Sequence, residues 1–486
     1  MQSIESFLAL LESVTPIVRS IKHAGGIAYL VGGSVRDLIL NQPLKDFDIE
    51  VHHLTQEQLE AALAKHGSVM LIGKKFGVFK IAGMEADWSL PRKDSIGRKP
   101  TVAIDPSMTI QEACRRRDLT MNAMAINLND VVDNHVLLSQ LKNSATAEPA
   151  AAVAIIDPYG GLQDMAAKRL RAVDETLFIQ DPLRFFRVMQ FIGRFGMEPD
   201  AALNHLCATM DLHDQATNAP LAQERIHEEM KKLLLKSPSP SYGFRWLVAI
   251  NRLNEIFPEI HALIGVNQPP QHHPEGDVFE HTMQAIDAAA RIKTFQSNDE
   301  KLMVVMSALC HDLGKPATTD EQGRAIGHET VGIPITKTLL HRMTNDHALI
   351  KAVTKMVRYH LLPFIFLDQK SSLKAYKRLA LKLAPEVTMR HIGLLSLADN
   401  QACNPKGHAP LEVAYDKLEQ FMQKTEQATV THGPEAPVLL GRHLLDTVPP
   451  GPELGKLLKE AYLIQIDEGI TDWEELKRRV LTTRTS

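Results

Sequence analysis

The sequence predicts an α+β fold, with a sheet confined to the N-terminal part and helices thereafter. Three observations carry this. Tyr29 to Val51, YLVGGSVRDLILNQPLKDFDIEV, reads as strand, glycine turn, short helix, loop and second strand. Further strand-like runs follow at Val69–Ile72, at Val78–Ile81 and in EADWSL around Asp87. From about Leu177 onward the apolar residues recur almost only at helical spacing.

The first strand is justified by Tyr29, Leu30 and Val31, and Gly32-Gly33 lets the backbone turn and approach a ligand closely. Ser34 follows where a helix begins, a place suited to an anion such as a polyphosphate. In the second strand Asp46 and Asp48 are two residues apart and share a face. Adjacent carboxylates are costly unless a cation joins them, and Mg²⁺ is the hard, oxygen-preferring choice. An amphipathic strand with Asp46, Asp48 and Glu50 solvated would show the same alternation. The glycine turn and Arg36-Asp37 upstream favour nucleotide chemistry. Asp87 is a candidate third carboxylate, although Glu85 would share its strand face.

Before this motif, Ile4, Phe7, Leu8, Leu11 and Val14 mark an amphipathic helix up to about Ala24. After it, Thr55 caps a helix running to Lys65. Residues 92–115, polar and with Gly97 and Pro100, read as a mobile loop. RRRDLTMNAMAIN follows. Its Arg116 and Arg117 suit a triphosphate or ribose, because guanidinium matches phosphate oxygens bidentately. A basic entry to a strand is the plainer alternative. Residues 129–154, rich in Ala, Asn and Ser, read as a surface insertion. DPYGG at 157–161 is a turn leading into a helix with Asp164.

DPLRFFRVMQFIGRF, 181–195, is a helix with Pro182 in its first turn. Asp181, Arg184 and Arg187 fall on one face, where carboxylate and guanidinium can present a pairing edge to a base; a solvated salt bridge is the alternative. Arg225, in ERIHEEMKKLL, adds a cation with Glu229 on its face, or is ordinary helix surface. Proline-rich breaks at 237–241 and 267–277 mark a neck and a linker. Beyond them come His281, His311-Asp312 and Asp399, on separate helices, with His328 and His360 between. Histidine and carboxylate are borderline-to-hard ligands that a helical bundle can gather round one metal. Lys456, Lys459, Lys477, Arg478, Arg479 and Arg484 make the end of the chain basic, as a solvated face or a contact to RNA backbone.

The chain has 486 residues, enough for about three or four domains. No apolar run approaches the roughly 20 residues that span a bilayer, and the N-terminus lacks a basic signal region. The four scattered cysteines show no CxxC spacing and fit reduced thiols in the cytoplasm. With a formal net charge of −4, any polyanion must be met by local basic patches.

Taken together, LVGGSVRD…KDFD, RRDLTMNAMA, DPYGG, DPLRFFRVMQFIGRF and ERIHEEMKKLL resemble, in order, the class II tRNA nucleotidyltransferases, or CCA-adding enzymes, whose head bacterial poly(A) polymerases share. HPEGDVFEHT, HDLGK, GHETVG, RYH and LADN resemble the HD-domain body of bacterial CCA-adding enzymes. The resemblance implies an N-terminal helix (1–24), a nucleotidyltransferase head with a mixed-sheet palm (25–175), a helical neck carrying the nucleotide-selecting helix (176–266), an HD-type helical body (267–430) and a helical tail (431–486) with a possible tRNA contact.

It also implies that Asp46 and Asp48 hold two Mg²⁺ ions, one at the tRNA 3′-hydroxyl and one at the triphosphate. Gly32, Gly33 and Arg36 fall in the family's phosphate-binding segment, with Ser34 beside them. Arg116, Arg117 and Asp118 fall in its ribose-discriminating segment, together with Asn122. Asp181 and Arg184 match the residues that pair with the base of CTP or ATP, and Arg187 and Arg225 match arginines that help hold the nucleotide. His281, His311, Asp312 and Asp399 match the HD ligands of a second divalent metal, in a body that hydrolyses phosphate esters at damaged RNA ends. Loop 92–115 matches the segment that switches from C to A. Gln180 departs from the family's Glu-Asp-x-x-Arg and bears on base selectivity. The alternatives are an enzyme adding only A, as a poly(A) polymerase does, and an HD phosphohydrolase whose head binds RNA.

Overall fold

The computed structural model describes residues 2–44, 47–72, 77–94, 102–134, 154–213 and 219–482. The chain divides into two compact units, Met1–Ile226 and His227–Ser486.

The first unit is built on a mixed sheet. Its strands are β1 (Ile27–Val31), β2 (Phe47–His52), β3 (Val69–Ile72), β4 (Val78–Ile81), β5 (Ala86–Ser89), β8 (Ala125–Asn127) and β9 (Ile155–Ile156), in the order β3-β4-β5-β2-β1-β8-β9. β2 and β5 run parallel, whereas the other neighbours in this order are antiparallel. Alternation puts Ile49, Val51 and Trp88 in the core, and leaves Asp48 exposed and Asp87 half-buried on the opposite face. The amphipathic helix α1 (Gln2–His23) covers the core side with Phe7, Leu11, Val14, Ile17 and Ile21. Helix α2 (Gly33–Ile39) follows the glycine turn, and α3 (Gln56–Leu63) starts at the expected cap, Thr55, which forms a capping box with Gln58.

Two expectations need correction. The span 92–115, read as a mobile loop, contains an antiparallel ribbon of β6 (Arg92–Asp94) and β7 (Val102–Ile104). It also contains α4 (Ile110–Arg115), closed by a Thr109–Glu112 capping box; residues 95–101 lie outside the described part. Cross-strand pairing and caps supplied order that weak periodicity hid. The expected insertion 129–154 begins inside α5 (Leu128–Asp133), where Val131 and Val132 are buried. Asn129 accepts from the Ala28 N–H and donates to the Gly26 carbonyl, so this polar residue secures the start of β1; residues 135–153 are outside the described part.

The second unit is helical among the described residues. Helices Val278–Arg291, Asn298–Cys310, His347–Tyr359 and Met389–Gln401 pack around Ile286, Val304, Val305, Val353, Met356 and Leu395. The break at 237–241 is part of this unit: Ser241 donates its N–H and hydroxyl to buried Asp287. The last two helices, Pro452–Glu468 and Trp473–Thr482, close over Leu439, Leu444, Val448, Leu457 and Leu476. Of the tail's basic residues, Lys477 pairs with Asp446, Arg478 with Glu475, and Arg479 with Glu468 and Glu475, while Arg484 is outside the described part. All four cysteines are free. No helix among the described residues is long and apolar enough to cross a membrane.

Candidate active sites

In the first unit, the register of β2 against β5 places Asp48 beside Asp87, both on the open face of the sheet. Asp46 lies outside the described residues. The Asp48 N–H donates to Ser34 Oγ (3.3 Å), which ties this strand to the glycine turn. Asp87 is met by Lys80 across the strands at 2.8 Å. An all-carboxylate donor set suits a hard divalent cation.

The glycine turn has a specific demand. Gly32 has φ +68, and a Cβ there would lie 2.2 Å from the Arg117 guanidinium, so glycine lets that arginine lie against the turn. Arg36 is buried: it donates to Asn122 Oδ1 (2.6 Å) and Asp37 (2.8 Å) and stacks on Phe191 and Phe195. It braces the turn against the helix Leu183–Phe195. Asp118 receives Asn122 Nδ2 (2.9 Å) and Arg187 Nε (2.6 Å). Burial pushes its carboxyl up, but Arg187 and Asn122 outweigh that and hold it at about 2.

Arg184 donates to the main-chain carbonyls of Leu177 (2.9 Å) and Arg116 (2.6 Å). Two fixed carbonyls thus orient the guanidinium. Arg225 is held by Asp181 at 3.2 Å, whereas Glu229, expected to hold it, pairs with Lys232. Asp181 and Arg184 begin the same helix, and Asp118 connects them through Arg187 to the segment that carries Arg116 and Arg117.

The second unit assembles its expected ligands directly. His281 Nε2 lies 3.0 Å from Asp399 Oδ1 and 3.2 Å from His311 Nε2, and His311 Nε2 lies 3.2 Å from Asp312 Oδ2. His281, His311 and Asp312 are almost fully buried. The rings are aimed from behind. His281 Nδ1 meets Glu275 Oε1 (2.7 Å) and the Ala402 carbonyl (2.9 Å), and His311 Nδ1 meets the Ala308 carbonyl (2.7 Å). That leaves Nε2 facing the cluster, the arrangement a metal-binding histidine needs. Burial works against charge on His281, but Asp399 and Glu275 raise its pKa to about 10, so acidic groups surround the place where a cation fits. Burial raises and the neighbouring histidines and Lys315 lower the Asp312 carboxyl, which ends well below the usual range.

Glu275 and Lys315 were not singled out in the sequence. Lys315 lies 2.7 Å from Asp312 Oδ2 and donates to Gln268 (2.6 Å). Gln268, His273 and Glu275 come from the segment 267–277 that reads as a linker, and it wraps the cluster instead. The one cue was the density of His and Glu in QHHPEGD.

These two sites define the class: a nucleotidyltransferase head joined to an HD-type helical unit. Family models agree, matching "Poly A polymerase head domain" at 28–171, "HD domain" at 278–399 and "Probable RNA and SrmB- binding site of polymerase A" at 219–264. The Multifunctional CCA protein of Nitrosospira multiformis is 36% identical over 68% of this chain and 72% of its own, and that of Pasteurella multocida 31% identical over 77% and 83%. The chain belongs to the multifunctional CCA protein family. Its fold is also similar to the Bacillus stearothermophilus CCA-adding enzyme in complex with CTP, at TM-score 0.61, 17% identity and 98% coverage of both chains. The Thermotoga maritima CCA-adding enzyme complexed with tRNA_CCA gives 0.54 at 17% identity, covering 96% of this chain and 94% of the other. As a nucleotidyltransferase with an HD domain, the protein depends on divalent metal ions.

Proposed function

We propose that this enzyme adds or repairs the 3′-terminal CCA of tRNA from CTP and ATP, in the cytoplasm and without a nucleic-acid template. The observation that carries the reading is the β2–β5 register, which pairs Asp48 with Asp87 next to the Gly32–Gly33 turn. Asp46 and Asp48, with Asp87, would hold Mg²⁺, whose chemistry is to activate the 3′-hydroxyl and neutralise the triphosphate. Gly32, Gly33, Ser34 and Arg117 line the phosphate side. Arg36, Asp118 and Asn122 position the neighbouring arginines, and Arg116 faces the ribose. Asp181 and Arg184 read the base, flanked by Arg187 and Arg225. The two carbonyls on Arg184 support selection of both C and A despite Gln180, since they orient the guanidinium without a carboxylate at residue 180. Functionally the chain would divide into five parts at residues 24, 175, 266 and 430, with the boundary between the two compact units, after Ile226, falling inside the neck.

In the second unit, His281, His311, Asp312 and Asp399 hold a divalent metal for hydrolysis of phosphate esters at RNA ends. Transcripts of one tRNA ending before the first C, after one C and after CC separate the readings when products are sequenced. Complete CCA on each is expected. Extension of the CC-ended transcript alone, or runs of A, would make this an A-adding enzyme. Removal of cyclic phosphate with no addition would leave only an HD phosphohydrolase.

A further inference from the structure

A cavity of about 990 Å³ opens in the second unit. Two packed helices, Met389–Gln401 and Tyr415–Gln427, supply one side with the apolar side chains of Leu394, Leu397, Leu418 and Met422. The other side comes from the break after Gln223–Lys236, the end of Val278–Arg291 and the start of Asn298–Cys310. These bring Ser237, Arg291, Lys293 and Lys301 to the cavity.

Three cations on this side are not matched by acids. Arg291 donates to the Pro238 carbonyl (3.1 Å) and the Ser239 hydroxyl (3.0 Å), and Lys301 donates to the Leu235 carbonyl (2.9 Å). Among the described residues, no carboxylate forms an ion pair with either of them or with Lys293. Lys301 is half-buried, and burial pushes its ammonium pKa down with no acid to oppose it. On the same side, the Ser237 hydroxyl is buried without a hydrogen-bond partner, which native structures rarely tolerate unless something else satisfies the group. Glu412 and Glu419 also border the cavity, both exposed, and Arg390 there is already paired with Glu300.

Arg291 stands ten residues beyond His281 on one helix, and Lys301 ten residues before His311 on the next. The cationic side is thus about 15 Å along these helices from the histidine cluster. An occupant here is separate from a phosphate ester held at the cluster. Small-molecule sites of this size combine an apolar lining with a few placed polar groups. The three cations and the orphaned hydroxyl suit an anionic head, which would give Lys301 the charge partner it lacks. Leucine and methionine suit an apolar body. They offer no aromatic face of the kind on which single-stranded bases stack.

We infer that this cavity binds a small organic anion with an apolar body, its charged head at Ser237, Arg291, Lys293 and Lys301 and its body against Leu394, Leu397, Leu418 and Met422.

The test uses the full chain and two probes, laurate below its micelle concentration and 1-anilinonaphthalene-8-sulfonate, each titrated by isothermal calorimetry. Saturable binding of one molecule per chain is expected for at least one probe. Lys301→Met and Leu418→Glu should each weaken that binding by about tenfold or more, since one removes a charged partner of the head and the other sets a carboxylate against the body. CCA addition by both variants should stay within about twofold of the parent, with helix content by circular dichroism unchanged. Dodecyltrimethylammonium, with a similar body and the opposite charge, should not saturate. Failure of both probes to saturate would overturn the inference, as would binding that ignores Lys301→Met or equally tight binding of the cationic analogue. A tRNA transcript whose binding depends on Lys301 when neither probe binds would also overturn it and make the cavity part of an RNA surface. Lys301→Met and the cationic analogue decide even if Leu418→Glu does not fold.

Discussion

The carboxylate face of the first unit and the histidine cluster of the second gather metal-binding groups by opposite means. On the face, strand alternation and register bring Asp48 and Asp87 together, and both remain open to solvent. In the cluster, helix ends and a wrapping segment bring His281, His311 and Asp312 together out of water, each ring fixed from behind. An open carboxylate site is completed by a substrate that brings its own charge, as a triphosphate does. A buried imidazole site is built for a resident ion, because unpaired charge there would be costly. Arg184 and Arg187 in the first unit are likewise oriented by protein groups, Arg184 by two carbonyls and Arg187 by Asp118.

The sharpest way to break this contrast is to disable one site and assay both. Asp48→Ala should lower CCA addition by at least about a thousandfold, a loss on the scale expected when a group stabilising transition-state charge is removed. Phosphate release from a 2′,3′-cyclic end should stay within about twofold. Loss of both activities would show that the sites are not independent. His311→Ala is the reciprocal case: phosphate release should fall by about a hundredfold or more, with ligand loss weakening metal retention, while CCA addition holds.

The support around the face gives smaller effects. Asp118 is held at about 2 against an ordinary value of 3.8, so its stabilising contribution is present above pH 3.8 and lost as the pH falls through 2. That difference corresponds to about 2 kcal/mol. In denaturant melts Asp118→Asn should be less stable than the parent by about this much at pH 7, with the gap closing toward pH 2. A gap that does not change with pH would remove the ion pair with Arg187 as its cause. Gly32→Ala forces a side chain into a left-handed backbone against Arg117, which costs roughly 1–2 kcal/mol; the expected readout is about a tenfold rise in KM for CTP and ATP with kcat less affected. The smallest effect belongs to Arg225→Ala. Its pair with Asp181 is half-exposed at 3.2 Å, so stability should change by less than about 1 kcal/mol.

Period-two and helical patterns, glycine turns and caps are local signals, and they located β1 to β5, α1, α3 and the helix that starts near Asp181. The ordered motifs also placed His281, His311, Asp312 and Asp399 as one set, which the fold then brought within contact. What stayed hidden depends on partners distant in sequence. The ribbon of β6 and β7 exists through pairing between two strands of only three residues each. Helix α5 exists because Val131 and Val132 find a core and Asn129 finds the start of β1.

By itself, then, the sequence determined the chemistry on offer: carboxylates on one strand face, a glycine turn, a carboxylate–guanidinium helix face and a set of HD ligands. Only the tertiary structure decided how these are used. It set Asp87 beside Asp48, gave Arg184 two carbonyls in place of the acid missing at residue 180, and turned 267–277 from a linker into a wall of the histidine cluster. The physical reason is that residue type fixes which atoms can donate, accept or ligate. Which atoms meet is settled by registers and helix ends that bring distant segments within about 3 Å of each other, the reach of a hydrogen bond.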